Sequence, residues 1–418
     1  MKNDQLYINK DRLQKRLEKE LPQYGMNDCG GMDRCLGSVA DLEAREWFCE
    51  EAKKIGAIIA IDAVANIWVT LPGTDHMLKP IVIGSHLDTV PNGGKYDGAM
   101  GVLLGLEIME VLKESRVQLK HPLQVVAFTG EEPNPFGIST LGSRSVTGKL
   151  DIDILSQAQH KDSHERLSDR LKLLGGNLLD LNSSQLRQGD KAAFIECHIE
   201  QGNNLDLMHY PVAIVTGITG IYRDKIIING EANHAGTTLM ECRHDALLAA
   251  AEFVLAVETT VKSIHKSHIV GTVGQMTVFP NAANIIPGKV ELTLELRVSD
   301  DEIKEEILRI LQCYINNISR NRGVLFSRQT ILDQQAVVMS PLIVETLKNV
   351  AEKDTPKLIS MAGHDAVHMT DVAPTGMLFV RSIGGRSHCA SEYSLMDDIE
   401  CAGNVLLRAL MELDDNLN

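Results

Sequence analysis

The sequence predicts an α/β protein with a smaller α+β domain inserted into it. Three observations carry that expectation. Short apolar strand-like runs alternate with helix-period segments over the first part of the chain. Near Pro211 the pattern changes to turn-linked strands and two long helices. After about residue 330 the α/β character returns. At 418 residues the chain is also long for one hydrophobic core, so two domains are expected.

The elements follow in order. "DLEAREWFCEEAKKIG" has apolar residues at helical spacing and stops at Gly56. "AIIAIDAVANIWVTLPG" reads as strand, turn, strand, closed by Pro72-Gly73. "PIVIGSH" is a short buried strand, "GVLLGLEIMEVLKES" a helix, and "PLQVVAFTGEE" a second buried strand ending in two glutamates. Such alternation implies a mostly parallel sheet with helices on both faces, which binds ligands outside the carboxyl ends of its strands. From Pro211 the order is strand, helix, strand, strand, helix, strand. That is a split βαβ, ferredoxin-like arrangement, expected over residues 213–330 as an insertion between 1–212 and 331–418. "SPLIVETLKNVAEKD", "TGMLFVRS" and "DDIECAGNVLLRALMELDD" then read as helix, strand and closing helix.

Composition limits the function classes. Net charge is −15, with no basic run, and aromatics are 4%; nucleic acid and anionic membranes are not expected partners. The charged N-terminus has no apolar signal core, and no stretch reads as a membrane span. The eight cysteines are scattered without a CxxC pair, which suits a reduced, cytoplasmic protein.

Five segments carry candidate ligands: "SHLDTV" with His86 and Asp88, "GGKYDG" with Asp97, "TGEEP" with Glu131 and Glu132, "CHIEQG" with His198 and Glu200, and "GRSHCASE" with His388 and Glu392. Any one alone reads as a turn, a solvated face or a structural histidine. A glutamate pair closing a buried strand needs a partner, however, and the five together make the nitrogen-and-oxygen ligand inventory of a two-metal hydrolytic site.

These segments, with "GSR" (Gly142 to Arg144), "NHAGTT", "PNAANIIPG" and "AGHDA", resemble the dinuclear-metal amidohydrolases of the M20 peptidase clan. Within it they are similar to the branch of N-carbamoyl-L-amino acid hydrolase, allantoate amidohydrolase and β-ureidopropionase. The resemblance runs from about Gly30 to the C-terminus, and the histidine of "HIEQG" marks the carbamoyl branch against aminopeptidases. It implies a zinc-peptidase-like sheet domain with a ferredoxin-like lid that also forms a homodimer.

The resemblance assigns roles. His86, Asp97 and Glu132 would hold one cation, with Asp97 bridging to a second completed by His198 and His388. The ions would be zinc, with manganese, cobalt or nickel as alternatives, since the ligand types do not choose among them. Asp88 would orient His86 and fix its tautomer, and Glu131 would act as general base. Adjacent glutamates on an extended segment point opposite ways, so one can face a cation and the other the substrate if the segment leaves the sheet. His234 would stabilise an oxyanion, Asn284 and Arg297 would hold a substrate carboxylate, and Gln201 and His364 would line the site. The expected reaction is hydrolysis of the ureido C–N bond of an N-carbamoyl-L-amino acid. Allantoate or another ureido acid is the alternative substrate, and a peptide or a non-catalytic metal-binding role the more distant readings. Pro133 and Pro135 after the glutamates, Leu239, and Cys389 beside His388 depart from the family pattern and bear on substrate choice.

Overall fold

The computed structural model describes residues 6–417. Contacts divide the chain into two compact units, one comprising the chain up to Thr216, Met339–Leu358 and the chain from His364, the other Gly217–Val338 and Ile359–Gly363.

In the first unit, Asn9 caps the helix Lys10–Lys15, and Ser38 caps Val39–Lys54 by accepting the Asp41 N–H. Gly56, at φ 73°, ends the latter and leads into β1 (Ile58–Ile61) and β2 (Ile67–Leu71), an antiparallel pair. β3 (Ile81–His86) and β4 (Leu123–Phe128) flank the buried helix Ala99–Glu114 in sequence. Gly84 leaves room for β4: a Cβ there would lie 2.2 Å from the Val126 carbonyl oxygen. β5 (Ala193–Ile199) is wholly buried, and the sequence patterns pass over it because Glu196 and His198 interrupt its apolar run. β6 (Val212–Ile218) leads out of the unit.

The second unit holds β7 (Gly220–Asn229), β8 (Asn233–His234), the helix Ala246–Ser263, β9 (Ile269–Phe279), β10 (Ile285–Ile286), β11 (Lys289–Val298), the helix Asp301–Arg322, β12 (Leu325–Gln334) and β13 (Val337–Val338). Its main sheet is antiparallel in the order β12-β7-β11-β9, so β11 lies between the two strands joined by the first helix. β11 alternates strictly between buried and half-buried residues, and its buried face shares one core with both helices. β8 and β10 form a separate two-residue ladder.

The chain returns through the helix Pro341–Val350, β14 (Lys357–Ser360), β15 (Thr375–Val380) and the closing helix Met396–Asn416. The large sheet is mixed, in the order β1-β2-β4-β3-β5-β15-β6, with the central strands β4, β3, β5 and β15 parallel and the flanks antiparallel. The central strands are buried nearly throughout, and on one face their side chains share a core with the helices. Because they run parallel, their carboxyl ends share one edge. Among the described residues, no helix is long and apolar enough to cross a membrane. All eight cysteines are free.

Candidate metal centre

That shared edge gathers the histidines and carboxylates of the candidate ligand segments. β3 ends on His86, β5 carries His198 one residue before its end, and the loops after β3, β4 and β15 bring Asp97, Glu131-Glu132 and His388. The turn that presents Asp97 depends on Gly98, which sits at φ 64° against the His86 ring; a Cβ there would meet ring atoms at 2.4 Å.

Asp97 divides the cluster. Its Oδ1 lies 3.1 Å from His198 Nε2 and 3.7 Å from His86 Nε2. Its Oδ2 lies 3.3 Å from His388 Nε2, which is itself 3.4 Å from Glu132 Oε1. The geometry therefore groups His86, Asp97 and His198 on one side and Asp97, Glu132 and His388 on the other. The expected partition put Glu132 with His86 and His198 with His388; Glu132 also groups with His86 and Glu131, whereas His198 and His388 share no such group among the described residues. The cause is strand order: β3 and β5 are neighbours, so His86 and His198 emerge side by side.

The glutamates also depart from expectation. β4 stops at Phe128, and Gly130, at φ 62°, bends the chain before them. On this bend both carboxylates turn to one side: Glu131 Oε2 is 3.7 Å from His86 Nε2, and Glu131, Glu132 and His86 form a third group of close donor atoms. Asp88 anchors the bend, its carboxylate accepting the main-chain N–H of Glu131 at 3.3 Å and of Glu132 at 3.2 Å. It orients His86 through its main-chain carbonyl, which accepts from Nδ1 at 2.9 Å, whereas its carboxylate stands 3.8 Å from that nitrogen.

Electrostatics show what the cluster is built to hold. The Nδ1 of His198 donates to the Ile199 carbonyl at 2.9 Å, so His86 and His198 both turn Nε2 toward Asp97. His86 Nε2 and Asp97 Oδ1 are buried without a hydrogen-bond partner. Burial pushes the Glu131 carboxyl well up, reinforced by Glu132, Asp365, Asp88 and Asp97. Burial likewise drives Glu132 to about 10, with Asp97 and Asp88 adding to it. Burial also opposes the charge on His198, but Asp97 outweighs it and raises the imidazole to about 9. Imidazole nitrogens and carboxyl oxygens converge around Asp97. The set fits divalent cations held by nitrogen and oxygen.

Two further expected residues lie here. Gln201 donates to Asp97 Oδ2 at 3.0 Å, and the buried His364 ring packs edge-on against His198, with centroids 4.6 Å apart. Sequence reasoning missed Glu196, which binds the Ser85 hydroxyl at 2.8 Å and the Ala366 N–H at 2.8 Å. The signal was a lone acid inside an apolar run. His234, Asn284 and Arg297 belong to the second unit. The β8–β10 ladder sets His234 beside Ile285, and Ala235 donates to the Asn284 carbonyl at 3.0 Å. His234 Nδ1 accepts main-chain N–H groups from Gly236 and Thr237, which leaves its proton on Nε2. Arg297 is engaged by Glu295 Oε1 at 2.9 Å and the Met361 carbonyl at 2.6 Å.

Comparison with known proteins places this arrangement. Residues 82–412 match the Peptidase family M20/M25/M40. The chain is 34% identical over 410 residues to an N-carbamoyl-L-amino-acid amidohydrolase of Pseudomonas sp. (strain NS671), covering 97% of this chain and 98% of that one. It is 34% identical over 413 residues to a ureidoglycolate hydrolase of Oryza sativa subsp. japonica, covering 97% and 85%. A solved amidase of the hydantoinase/carbamoylase family from Burkholderia multivorans superposes with TM-score 0.89 at 29% identity, covering 99% of this chain and 100% of that one. The chain belongs to Peptidase family M20/M25/M40, in the branch of its amidohydrolase relatives.

Proposed function

We propose that this protein hydrolyses the ureido C–N bond of an N-carbamoyl-L-amino acid, giving the amino acid and a carbamate that breaks down to CO2 and ammonia. The observation that carries the reading is Asp97, with Oδ1 facing His86 and His198 and Oδ2 facing His388, and the Glu131 carboxylate 3.7 Å from His86. Names of full-length relatives support amide C–N hydrolysis at such a centre.

His86, Asp97 and His198 would hold one divalent ion and Asp97, Glu132 and His388 the other, zinc first and manganese, cobalt or nickel as alternatives. Ions bound there supply the Lewis acidity that a ureido carbonyl, flanked by two donating nitrogens, otherwise lacks. Glu131 is the general base: it takes a proton from the attacking water and returns it to the leaving amino nitrogen. Asp88 holds the Glu131 bend in place through the two N–H groups that it accepts. His234, with its proton on Nε2, is suited to donate to the developing oxyanion. Asn284 and Arg297 would capture the substrate carboxylate, with Gln201 and His364 as further contacts. We propose the second unit as lid and homodimer element on the same reading.

The alternative is another ureido acid, allantoate or ureidoglycolate; the rice relative, at the same 34% identity, favours it. The test is a turnover panel of N-carbamoyl-L-amino acids, N-carbamoyl-β-alanine, allantoate, ureidoglycolate and dipeptides, each with Zn²⁺, Mn²⁺ or Co²⁺ restored. Preference for N-carbamoyl-L-amino acids is expected. Cleavage of dipeptides alone would refute the reading.

A further inference from the structure

Glu392 takes no part in the mechanism above, yet its carboxylate is buried directly behind Asp97. Its Oε1 accepts the main-chain N–H of Tyr96 at 3.0 Å and of Asp97 itself at 3.1 Å. Its Oε2 is 3.0 Å from the Ser387 hydroxyl, which also lies 3.1 Å from Asp97 Oδ2. The loop passes so close that a Cβ on Gly94 would sit 1.9 Å from the Glu392 carboxyl carbon. Gly94 is not in a left-handed conformation, so backbone freedom does not require a glycine there; space for Glu392 does.

We propose that Glu392 is a positioning residue that clamps the Asp97 loop, with Ser387 as its second contact and Gly94 as the gap that admits it, so that Asp97 keeps Oδ1 toward His198 and Oδ2 toward His388, where the residues would hold the cations. A side chain whose acceptor oxygen takes two adjacent N–H groups fixes the plane of that peptide, and with it the direction in which the Asp97 side chain leaves the backbone. Ser387 then links the same carboxylate to Asp97 Oδ2, on the His388 side. The inference rests on the metal-binding reading of Asp97 but not on the substrate.

The test is metal affinity by competition with a chromophoric chelator, with metal content per chain and folding checked by circular dichroism. Glu392→Ala should stay folded and weaken cation binding by about 10- to 100-fold, the usual effect of removing a group that orients a ligand. Glu392→Gln, which keeps an acceptor oxygen for both N–H groups, should restore it. Gly94→Ala should weaken binding by displacing Glu392, but should add nothing in a Glu392→Ala background, where the space is free. This non-additivity separates a clamp from general loop damage. The proposal is overturned if Glu392→Ala binds both cations as tightly as the parent. It also falls if the Gly94→Ala penalty persists undiminished in the double variant. Should Glu392→Ala not fold, Glu392→Gln and Gly94→Ala decide between the same outcomes. Absence of metal binding by the parent protein would instead count against the metal-centre reading itself.

Discussion

The Asp88 carboxylate accepts the main-chain N–H of Glu132 at 3.2 Å, so a residue just past the end of one parallel strand fixes the loop at the end of its neighbour. Its other oxygen does the same for Glu131. A buried acid therefore holds the proposed base by the backbone rather than by its side chain.

Asp88→Asn should break this arrangement, because one amide N–H then opposes a main-chain N–H. The glutamate bend would shift, and a displacement near 1 Å costs about 10²-fold in rate. We expect kcat to fall by that order, with cation binding weakened as well because Glu132 rides on the same bend. Steady-state kinetics beside metal analysis checks it; an unchanged kcat would show that the two N–H contacts do not position Glu131.

Gly98→Ala should damage the His86 side of the centre. Its left-handed backbone costs a residue with a side chain about 1–3 kcal/mol, and the new Cβ collides with the imidazole. Lower thermal stability and metal content clearly below the parent's are the expected readouts.

Chelation should destabilise the protein more at pH 9 than at pH 6. Without cations, the folded-state Glu132 carboxyl stands near 10 and the His198 imidazole near 9, both above their unfolded values. The folded state thus binds extra protons across this window, and the associated stability is lost as pH rises. Bound cations replace those protons and remove the dependence. Thermal melts with and without chelator test this; a gap that narrowed toward pH 9 would contradict it.

His368 should give the opposite slope. Burial, then the charges of Lys149 and Arg144, hold its imidazole well below 6.5. Its Nδ1 lies 3.3 Å from Lys149 Nζ, and its Nε2 bonds the Thr140 hydroxyl at 3.0 Å. Lys149 is itself paired with Asp371 at 2.8 Å. Because the folded value is depressed, the unfolded chain binds more protons below pH 6.5, and stability falls on acidification by up to about 1.4 kcal/mol per pH unit. A His368→Gln variant should lose that component when denaturant melts are compared between pH 5 and pH 7.

Much of the architecture was legible because it is locally encoded. Continuous apolar runs such as "PIVIGSH" mark buried strands, and Gly56 marks a helix end. β5 was not legible, since Glu196 and His198 disguise a buried strand as a mixed segment. The bend at Gly130 was not legible either, because nothing in "TGEEP" distinguishes an extended exit from a left-handed turn.

The sequence by itself determined the class of fold, the family and the residue types able to hold a cation, because periodicity and motif spacing are properties of the chain alone. Only the tertiary structure decided which of those residues meet. His86 faces His198 because β3 and β5 are adjacent in the sheet, and Glu132 meets His388 across a loop closed 256 residues later. Glu392 reaches the Asp97 loop from nearly 300 positions away, through a gap that a glycine leaves open. Such pairings depend on strand order and close packing, which no local pattern records.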